Sequence, residues 1–232
     1  MSVGKLTVAV PVYNERERVG RALKELLSTT FPVETEVIIV DDGSIDGTWD
    51  ELMHHSLPEG VRLLRHPRNR GKGAALRTAL EAATGDVFVP FDADLEYDPG
   101  DLPRLLQPLI RGEADVVYGT RAFGSHTSYS FWYVLGNKFL STWANMLFNC
   151  FISDLETCYK MVRTPILRSL DLRSDSFDIE AEVTAKLLRA GHRPYELPVS
   201  YKARTRAQGK KINWRDGVIA LLVVARIRAG LN

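Results

Sequence analysis

Residues 87–96 read VFVPF-DADLE and join an expected strand to an acidic turn. The apolar half, Val87–Phe91, is typical of a short strand that is buried on both faces of a parallel sheet. Asp92, Asp94 and Glu96 follow at alternate positions, and they can converge on one hard cation, because Mg²⁺ and Mn²⁺ prefer oxygen ligands. The alternative is a solvated acidic turn that caps the next helix. The position directly after a buried strand favours the metal site.

Apolar segments alternate with amphipathic segments on either side of this stretch. Runs of Val, Ile and Leu separated by helical patterns indicate βαβ units, so we predict the α/β class, with a Rossmann-like, mostly parallel sheet and helices on both faces. The predicted strands are Leu6–Val12, Glu36–Asp41, Val61–Arg65, Val87–Phe91, Asp115–Tyr118 and Arg193–Val199. The predicted helices are Glu17–Thr29, Thr48–His55, Lys72–Ala83, Leu102–Ile110, Tyr129–Phe151, Phe177–Ala190 and Asn213–Arg228.

Length and composition suggest one domain over residues 1–232, because no low-complexity linker interrupts the chain. Cys150 and Cys158 are too few for a disulfide framework and suggest free thiols in a reducing compartment. The longest apolar run, Val218–Ala225, has eight residues, whereas a bilayer span needs about 20. The first residues do not resemble a signal peptide. We therefore expect a cytoplasmic protein, at most attached to the cytoplasmic face of a membrane.

The formal net charge of +1 hides an uneven distribution. Residues 202–232 carry eight Lys and Arg against one acid, a net charge of +7, and the rest of the chain sums to −6. A basic end on a mildly acidic body suggests an anionic partner, such as a phosphate, a nucleic acid or a membrane surface. Nucleic-acid binding by the tail would leave the ordered acidic motifs unexplained, so we expect no nucleic-acid partner.

Polar residues follow the other predicted strands as well. In open parallel sheets ligands bind outside the carboxyl ends of the strands, so these residues carry the most functional information. Asp42 at the tip of the second strand could accept hydrogen bonds from a ribose or a base, while Asp41 braces the turn. The turn Gly71–Gly73 could present backbone N–H groups and Lys72 to a phosphate, or it could be an ordinary glycine turn.

Three other interpretations based on Asp or Gly motifs fit the sequence poorly. Phosphatases and mutases that use an Asp-x-Asp nucleophile usually carry it after the first strand, with Thr or Val two residues after the second Asp, where Glu96 stands in this chain. The sequence also contains neither G-x-x-x-x-G-K-[ST] nor a strand-linked G-x-G-x-x-G. Neither phosphoryl transfer through an Asp nor a P-loop or dinucleotide site is therefore favoured.

The polar elements, in this order, resemble a family 2 glycosyltransferase of the GT-A fold. The carrying segments span Val10–Glu15, Val40–Thr48, Asn69–Ala75 and Phe91–Glu96, and the resemblance covers the first 125 residues. Within the family the chain most resembles dolichyl- and polyprenyl-phosphate sugar transferases of the dolichol-phosphate mannose synthase type. That likeness rests on the Asp-Ala-Asp-Leu form of the acidic turn, on Gly119–Arg121 and on Asp154–Lys160.

The resemblance implies an inverting transfer of a hexose from a nucleotide sugar, GDP-mannose or UDP-glucose, with GDP-mannose favoured. Residues 1–125 would bind the donor and residues 126–232 the acceptor. Asp92, Asp94 and Glu96 would hold Mg²⁺ or Mn²⁺ against the diphosphate. The implied nucleotide-binding residues are Pro11, Tyr13, Glu15, Asp42, Lys72, Asp92 and Ala93, and the implied catalytic residues are Asp94, Arg121 and Asp154.

A polyprenyl phosphate is the implied acceptor, and as an anion it needs cations that position it more than it needs a general base. Arg121, Arg204, Arg206 and Lys210 are the candidates for that phosphate, although each could be a solvated surface charge. The aromatic segment Tyr129–Phe151 could form an isoprenoid groove or belong to the core.

Residues 213–228 could lie on an anionic membrane surface, or their apolar face could pack on the domain or on a second subunit in a homodimer. Two residues depart from the family pattern: Cys158 stands where Gly is common, and Glu96 stands where Gln is common. Many relatives also continue into transmembrane helices.

Transfer to a soluble or glycan hydroxyl is the main alternative. It would need a general base near the metal, for which Asp154 and Glu156 are candidates. A regulatory domain that binds a nucleotide sugar without turnover is a further alternative.

Overall fold

A seven-stranded mixed sheet forms the centre of the described chain, with strand order β3-β2-β1-β4-β6-β5-β7. The structure is a computed structural model that describes residues 2–54, 57–126, 130–204 and 214–231. The strands are β1 (Lys5–Val12), β2 (Glu34–Asp41), β3 (Val61–Arg65), β4 (Val87–Pro90), β5 (Val116–Thr120), β6 (Lys160–Arg163) and β7 (Tyr195–Pro198). The helices are α1 (Arg16–Leu27), α2 (Thr48–His54), α3 (Lys72–Ala82), α4 (Leu102–Ile110), α5 (Phe131–Phe148), α6 (Thr164–Ser169), α7 (Ile179–Arg189) and α8 (Trp214–Arg228).

Strand β1 lies in the middle of the sheet and pairs in parallel with β2 and β4. Its side chains alternate between two core layers, as the pleat of a strand requires. Val8 and Val10 belong to the layer that contains α1, α2 and α4, whereas Ala9 belongs to the layer that contains α3, α6 and α7. A third apolar cluster joins α5 and α8 to α7. The predicted α/β class, with helices on both faces of a mostly parallel sheet, is confirmed.

The six predicted strands all occur, with ends that shift by up to two residues. The seventh strand, β6, was not predicted, and neither was the short helix α6. Only four residues long, β6 begins with Lys160 and ends with Arg163, so it lacks the apolar run of a buried strand. Its inner position between β4 and β5 comes from long-range pairing, which a local sequence pattern does not reveal.

The direction of β6 decides what lies at the carboxyl edge of the sheet. It runs antiparallel to β4 and β5, and Lys160 pairs with Tyr118 near the end of β5. The residues just before β6 therefore lie beside the residues just after the parallel strands. Residues 154–159 thus join the edge where ligands bind in sheets of this kind.

The predicted helices correspond to α1–α5, α7 and α8, each within about three residues. His55, Tyr129 and Asn213, at the ends of three predicted helices, lie outside the described residues. Within the described ranges, no helix is long and apolar enough to cross a bilayer.

Gly71, directly before α3, and Gly73, in its first turn, allow close contact with the segment before α7. A Cβ on Gly73 would overlap the carbonyl oxygen of Ser174, and Ala74 N donates to the carbonyl oxygen of Asp175 at 3.2 Å. The turn and residues 174–175 are therefore held against each other at the carboxyl edge of the sheet.

Replacing Gly73 with Ala tests this close contact. We expect Gly73→Ala to lower the free energy of unfolding by about 1–3 kcal/mol, because the new methyl group forces two backbone segments apart. Chemical denaturation measures this loss. The matched control is Gly136→Ala, since a Cβ on Gly136 in α5 meets no atom within 4 Å. That change should raise stability by about 0.5–1 kcal/mol through helix propensity. Equal stability of Gly73→Ala and the wild type would contradict the contact.

Candidate active site

A cavity of about 470 Å³ opens at the carboxyl edge of the sheet. It brings together residues that are far apart in the chain, from the end of β1 to the segment after β7. The predicted site residues that line it are Pro11, Tyr13, Glu15, Asp42, Lys72, Asp92, Ala93, Asp94, Glu96, Arg121 and Arg204. Two others, Arg206 and Lys210, lie outside the described residues.

Asp42 organises the turn that precedes α3. Its carboxylate accepts hydrogen bonds from the backbone N–H groups of Arg70 at 2.9 Å and Gly71 at 2.7 Å. Nδ1 of His66 lies 2.6 Å from the same carboxylate. Asp42 therefore stabilises this turn as well as lining the cavity. Its contact with the nucleoside stays a prediction. Asp41 braces the neighbouring turn, accepting from the backbone N–H of Ser44 at 3.3 Å.

Lys72 joins the acidic turn to α7. Its Nζ donates to Oδ2 of Asp92 at 2.8 Å and lies 3.0 Å from Oε1 of Glu180. Burial alone would lower the pKa of Lys72, but these carboxylates raise it well above its ordinary value, so the ammonium stays charged. A fixed positive charge therefore lies beside the first carboxylate of the acidic turn.

The other two carboxylates of the acidic turn contact Arg204. Arg204 Nη2 donates to Oδ2 of Asp94 at 2.6 Å, and its Nε donates to Oε1 of Glu96 at 3.1 Å. Its Nη1 lies 3.5 Å from Oε1 of Glu15. The guanidinium predicted to hold an acceptor phosphate thus lies on the predicted metal ligands in this structure. Glu96 also accepts a hydrogen bond from the hydroxyl group of Tyr201.

Burial, and then the nearby negative charges of Asp92 and Glu96, raise the pKa of Asp94 to about 7. No group of three metal-ligating side chains is preassembled in the part of the chain that the structure describes. The donor set nevertheless fits a hard divalent cation, because it offers carboxylate oxygens whose mutual repulsion a cation would relieve. Asp92, Asp94 and Glu96 are the residues that would hold it.

A second charged unit, Arg121 with Asp154, contributes the Arg121 side chain to the cavity lining. Arg121 forms a bidentate ion pair with Asp154. Its Nε and Nη2 each donate to a different carboxylate oxygen at 2.7 Å. Asp154 also accepts from Nδ2 of Asn137 at 2.8 Å, and Arg121 lies over the ring of Tyr201. Burial alone would raise the pKa of Asp154, but Arg121 and these hydrogen bonds hold it below its ordinary value. Asp154 therefore fixes Arg121 and is a weak base.

Glu156 has the opposite character. Its Oε1 is buried and has no hydrogen-bond partner among the residues that the structure describes, and the side chain lines the cavity. Burial raises the pKa of Glu156 to about 7. The charges of Glu180 and Asp154 add to this shift, whereas Lys160 and Arg121 oppose it.

Lys160 holds the segment around Glu156. Its buried Nζ donates to the carbonyl oxygens of Leu155 at 2.8 Å and Thr157 at 2.5 Å, and to Oε2 of Glu180 at 2.9 Å. Sequence reasoning singled out neither Lys160 nor Glu180 as a site residue. One signal was available for Lys160, in the segment Asp154–Lys160 that carries the family resemblance. Glu180 gave no such signal, because it lies on an amphipathic helix remote in sequence.

The raised pKa of Glu156 makes a prediction about stability. Between about pH 4.5 and pH 7 the folded state keeps a proton that the unfolded state has lost, so stability falls as the pH rises through this range. Glu156→Gln removes this contribution. We expect the variant to be more stable than the wild type at pH 8 and equally stable near pH 4, as measured by urea denaturation at several pH values.

The control for this experiment is Glu113→Gln, which removes an exposed carboxylate from the turn after α4. Its stability should follow the wild-type pH dependence. If Glu156→Gln were less stable than the wild type at pH 8, Glu156 would have a structural role that the contacts above do not provide.

Comparisons with known sequences agree with the geometry. A Pyrococcus furiosus dolichol-phosphate mannosyltransferase is 27% identical over 214 residues, which cover 89% of this chain but only 59% of that enzyme. A Micrococcus luteus undecaprenyl-phosphate mannosyltransferase is 29% identical over 240 aligned positions, covering 98% of this chain and 94% of that enzyme.

Solved structures share the fold. Glucosyl-3-phosphoglycerate synthase from Mycobacterium tuberculosis, in complex with Mn²⁺, UDP and glucosyl-3-phosphoglycerate, superposes with a TM-score of 0.73 at 17% identity. The match covers 99% of this chain and 81% of that one. The mannosyltransferase PcManGT from Pyrobaculum calidifontis, in complex with GDP-Man and Mn²⁺, has a TM-score of 0.61 at 20% identity and covers 98% of this chain and 70% of that one. The expected GT-A fold is confirmed.

The sequence profile described as Glycosyl transferase family 2 matches residues 7–170, which include the acidic turn, Arg121 and the segment before β6. The resemblance and the glycosyltransferase class inferred from the sequence are confirmed, and the chain belongs to glycosyl transferase family 2.

Proposed function

We propose that this protein transfers a hexose from a nucleotide sugar to a polyprenyl phosphate, with inversion at the anomeric carbon. One observation carries the proposal: the same cavity is lined by a carboxylate cluster and by a guanidinium, Arg121, that Asp154 holds in place. The first suits a metal-bound diphosphate and the second an anionic acceptor. The names of the Pyrococcus and Micrococcus relatives, which include dolichol phosphate and undecaprenyl phosphate, support this acceptor class.

On the donor side, Asp92, Asp94 and Glu96 would hold Mg²⁺ or Mn²⁺, which supplies charge stabilisation for the leaving diphosphate. Lys72 adds a second, permanent positive charge beside Asp92. The nucleoside would contact Pro11, Tyr13, Glu15, Asp42 and Ala93, which line the same cavity. GDP-mannose and UDP-glucose are the donors to try first, since structural neighbours are crystallised with GDP-Man and with UDP-Glc.

On the acceptor side, Arg121 is positioned before any ligand arrives. Asp154 holds Arg121 in place and Asn137 donates to Asp154, so little side-chain entropy is lost when an anion binds. An acceptor phosphate oxygen would form the new bond to the anomeric carbon as the bond from that carbon to the diphosphate oxygen breaks, and the nucleoside diphosphate leaves. An acceptor that is already an anion needs no proton removed. Asp94 would act through the metal it holds, while Arg121 and Asp154 would position the nucleophile.

Arg204, Arg206 and Lys210 remain candidates for the same phosphate. Arg204 contacts the acidic turn in the absence of ligands, so in this role it would exchange carboxylate partners for phosphate oxygens. A divalent cation on those carboxylates would favour the exchange by like-charge repulsion of the guanidinium.

A hydroxyl acceptor is the second candidate, and the environment of Glu156 favours it. A general base works best when its pKa lies near the working pH, and the pKa of Glu156 is about 7. Glu156 would take that role in place of Asp154, whose carboxylate is held by Arg121 and Asn137.

We also propose peripheral contact with a lipid surface through α5 and α8. The first half of α5 has no buried residue, and Phe131 and Trp132 are 67% and 75% exposed. This apolar surface adjoins the acceptor side of the cavity, because Asn137 in the same stretch contacts Asp154. Ile219 and Leu222 on α8 are also exposed. Such a surface could accompany the chain of a polyprenyl phosphate, which would place the enzyme at the cytoplasmic face of a membrane.

A transfer assay tests the proposed function. Purified protein is incubated with radiolabelled GDP-mannose or UDP-glucose, a short polyprenyl phosphate, and Mg²⁺ or Mn²⁺. We expect lipid-linked sugar that chelation abolishes, and Asp94→Asn should lower kcat about 100-fold or more, because the metal loses a charged ligand. Arg121→Lys should raise the KM for the lipid by about tenfold with little change in the KM for the donor, because the planar fork is lost.

The matched control is Asp115→Asn, which removes an exposed carboxylate paired with Arg163, remote from the cavity. It should retain wild-type activity. Transfer to a soluble alcohol but to no polyprenyl phosphate would replace the leading proposal with the hydroxyl-acceptor candidate, and full activity of Asp94→Asn would overturn the metal assignment.

Vesicle sedimentation tests the lipid contact. We expect the double variant Trp132→Ser, Phe139→Ser to bind vesicles that contain phosphatidylglycerol about tenfold more weakly than the wild type, because two exposed aromatic groups are removed. The control, Met53→Ser, changes an exposed apolar residue on α2 and should bind like the wild type. Equal vesicle binding by the double variant, together with a change from dimer to monomer in size-exclusion chromatography, would instead assign this surface to a homodimer.

A further inference from the structure

The carboxyl group of Glu156 lines the cavity and has no role in the proposed transfer to a phosphate acceptor. Its Oε1 has no hydrogen-bond donor within the described ranges, although the nearby Asp154, Glu180 and Glu96 carboxylates each accept at least one. A buried, unpaired carboxylate oxygen costs free energy, and a ligand that donates a hydrogen bond would recover it. Because the Glu156 side chain lines the cavity while its Oε1 is enclosed and unpartnered, this carboxyl group points to a ligand group.

The position of Glu156 indicates which part of a ligand that group belongs to. Asp154, two residues before it, holds Arg121 on the acceptor side. Cys158, two residues after it, lines the same cavity as Asp92 on the diphosphate side, and burial followed by the Asp92 charge raises the pKa of its thiol. In an in-line displacement the hexose must lie between the leaving diphosphate and the acceptor. Glu156 therefore lies in the stretch of the cavity wall that faces the sugar.

Buried hydrogen bonds hold the backbone around Glu156 in place, although the unpaired carboxylate oxygen costs free energy. Lys160 donates to the carbonyl oxygens of Leu155 and Thr157, the residues immediately before and after Glu156. Thr157 in turn donates from its hydroxyl group to the carbonyl oxygen of Gly119 at 2.5 Å. The backbone on both sides of Glu156 is thus held by buried hydrogen bonds, as expected for a positioned binding group.

Charge decides among the groups of the donor. The diphosphate and an acceptor phosphate are anions, which the carboxylate would repel, whereas a sugar hydroxyl is a neutral donor of a hydrogen bond. We infer that Glu156 accepts a hydrogen bond from a hydroxyl group of the donor hexose and thereby selects the sugar. This inference rests on the proposed function, since it requires a nucleotide sugar in the cavity.

Calorimetric titration in the presence of Mn²⁺ at pH 8, where the carboxyl group of Glu156 is ionised, tests the inference on the whole chain. GDP-mannose and GDP, and UDP-glucose and UDP, are titrated into the wild type, Glu156→Ala, Glu156→Gln and the exposed-site control Glu113→Gln. We expect Glu156→Ala to weaken binding of the nucleotide sugar by about 10- to 100-fold, the usual cost of losing a hydrogen bond to a charged group. Its affinity for the nucleoside diphosphate should stay within about twofold of the wild type. Glu156→Gln should bind the nucleotide sugar with an affinity between those of the wild type and Glu156→Ala, because its carboxamide oxygen still accepts a hydrogen bond.

Four results would overturn the inference. Equal weakening of nucleotide sugar and nucleoside diphosphate would mean that the substitution disturbs the cavity as a whole. Unchanged binding of the nucleotide sugar with a large fall in kcat would make Glu156 a general base. Failure of every nucleotide sugar to bind the wild type would remove both the inference and the proposed function. Transfer by the wild type to polyprenyl phosphate, with no selective loss in Glu156→Ala, would leave the proposed function standing and reject the role of Glu156 alone.

Discussion

The buried ammonium group of Lys160 connects the parts of this molecule on which the active site depends. It lies at the first residue of β6, where it binds Glu180 of α7 and the two carbonyl oxygens beside Glu156. Because a buried charge is tolerated only when it is paired and hydrogen-bonded, the position of each partner is restricted by the others. Glu180 also contacts Lys72, which in turn contacts Asp92. One chain of alternating charges thus runs from the antiparallel strand to the acidic turn.

The cavity balances its own charge before any ligand is bound. Carboxylates of the acidic turn contact Lys72 and Arg204, and Asp154 contacts Arg121. Arg204 comes from the basic end of the chain, so part of the charge asymmetry seen in the sequence is used inside the molecule. Under the proposed function, a metal cation could replace Arg204 on the acidic turn, whereas an acceptor phosphate would bind Arg121 while Asp154 still holds it. Glu156 is the exception, since no cation or N–H group in the described chain binds its buried oxygen.

The parallel strands, the acidic turn and the glycine turn before α3 were predictable because each depends on residues close together in sequence. Continuous Val and Ile runs indicate buried strands, and polar residues directly after such runs must lie at one edge of the sheet. Strand β6 was missed for the converse reason. Its four residues include Lys160 and Arg163, and their burial depends on Glu180, Asp115 and backbone carbonyls that only the folded chain brings near.

The sequence by itself determined the α/β class, the family, and the set of carboxylates and cations at the ends of strands, because local patterns and motif spacing carry that information. The tertiary structure decided which of these groups are paired. It placed Asp154 against Arg121, Arg204 against the acidic turn, and Glu156 in the cavity wall with an unpartnered oxygen. Asp154 and Glu156 are separated by one residue in the sequence, yet the pKa of Asp154 is lowered and that of Glu156 is raised. Burial and long-range charge set the behaviour of a carboxyl group, and both arise only when distant segments meet.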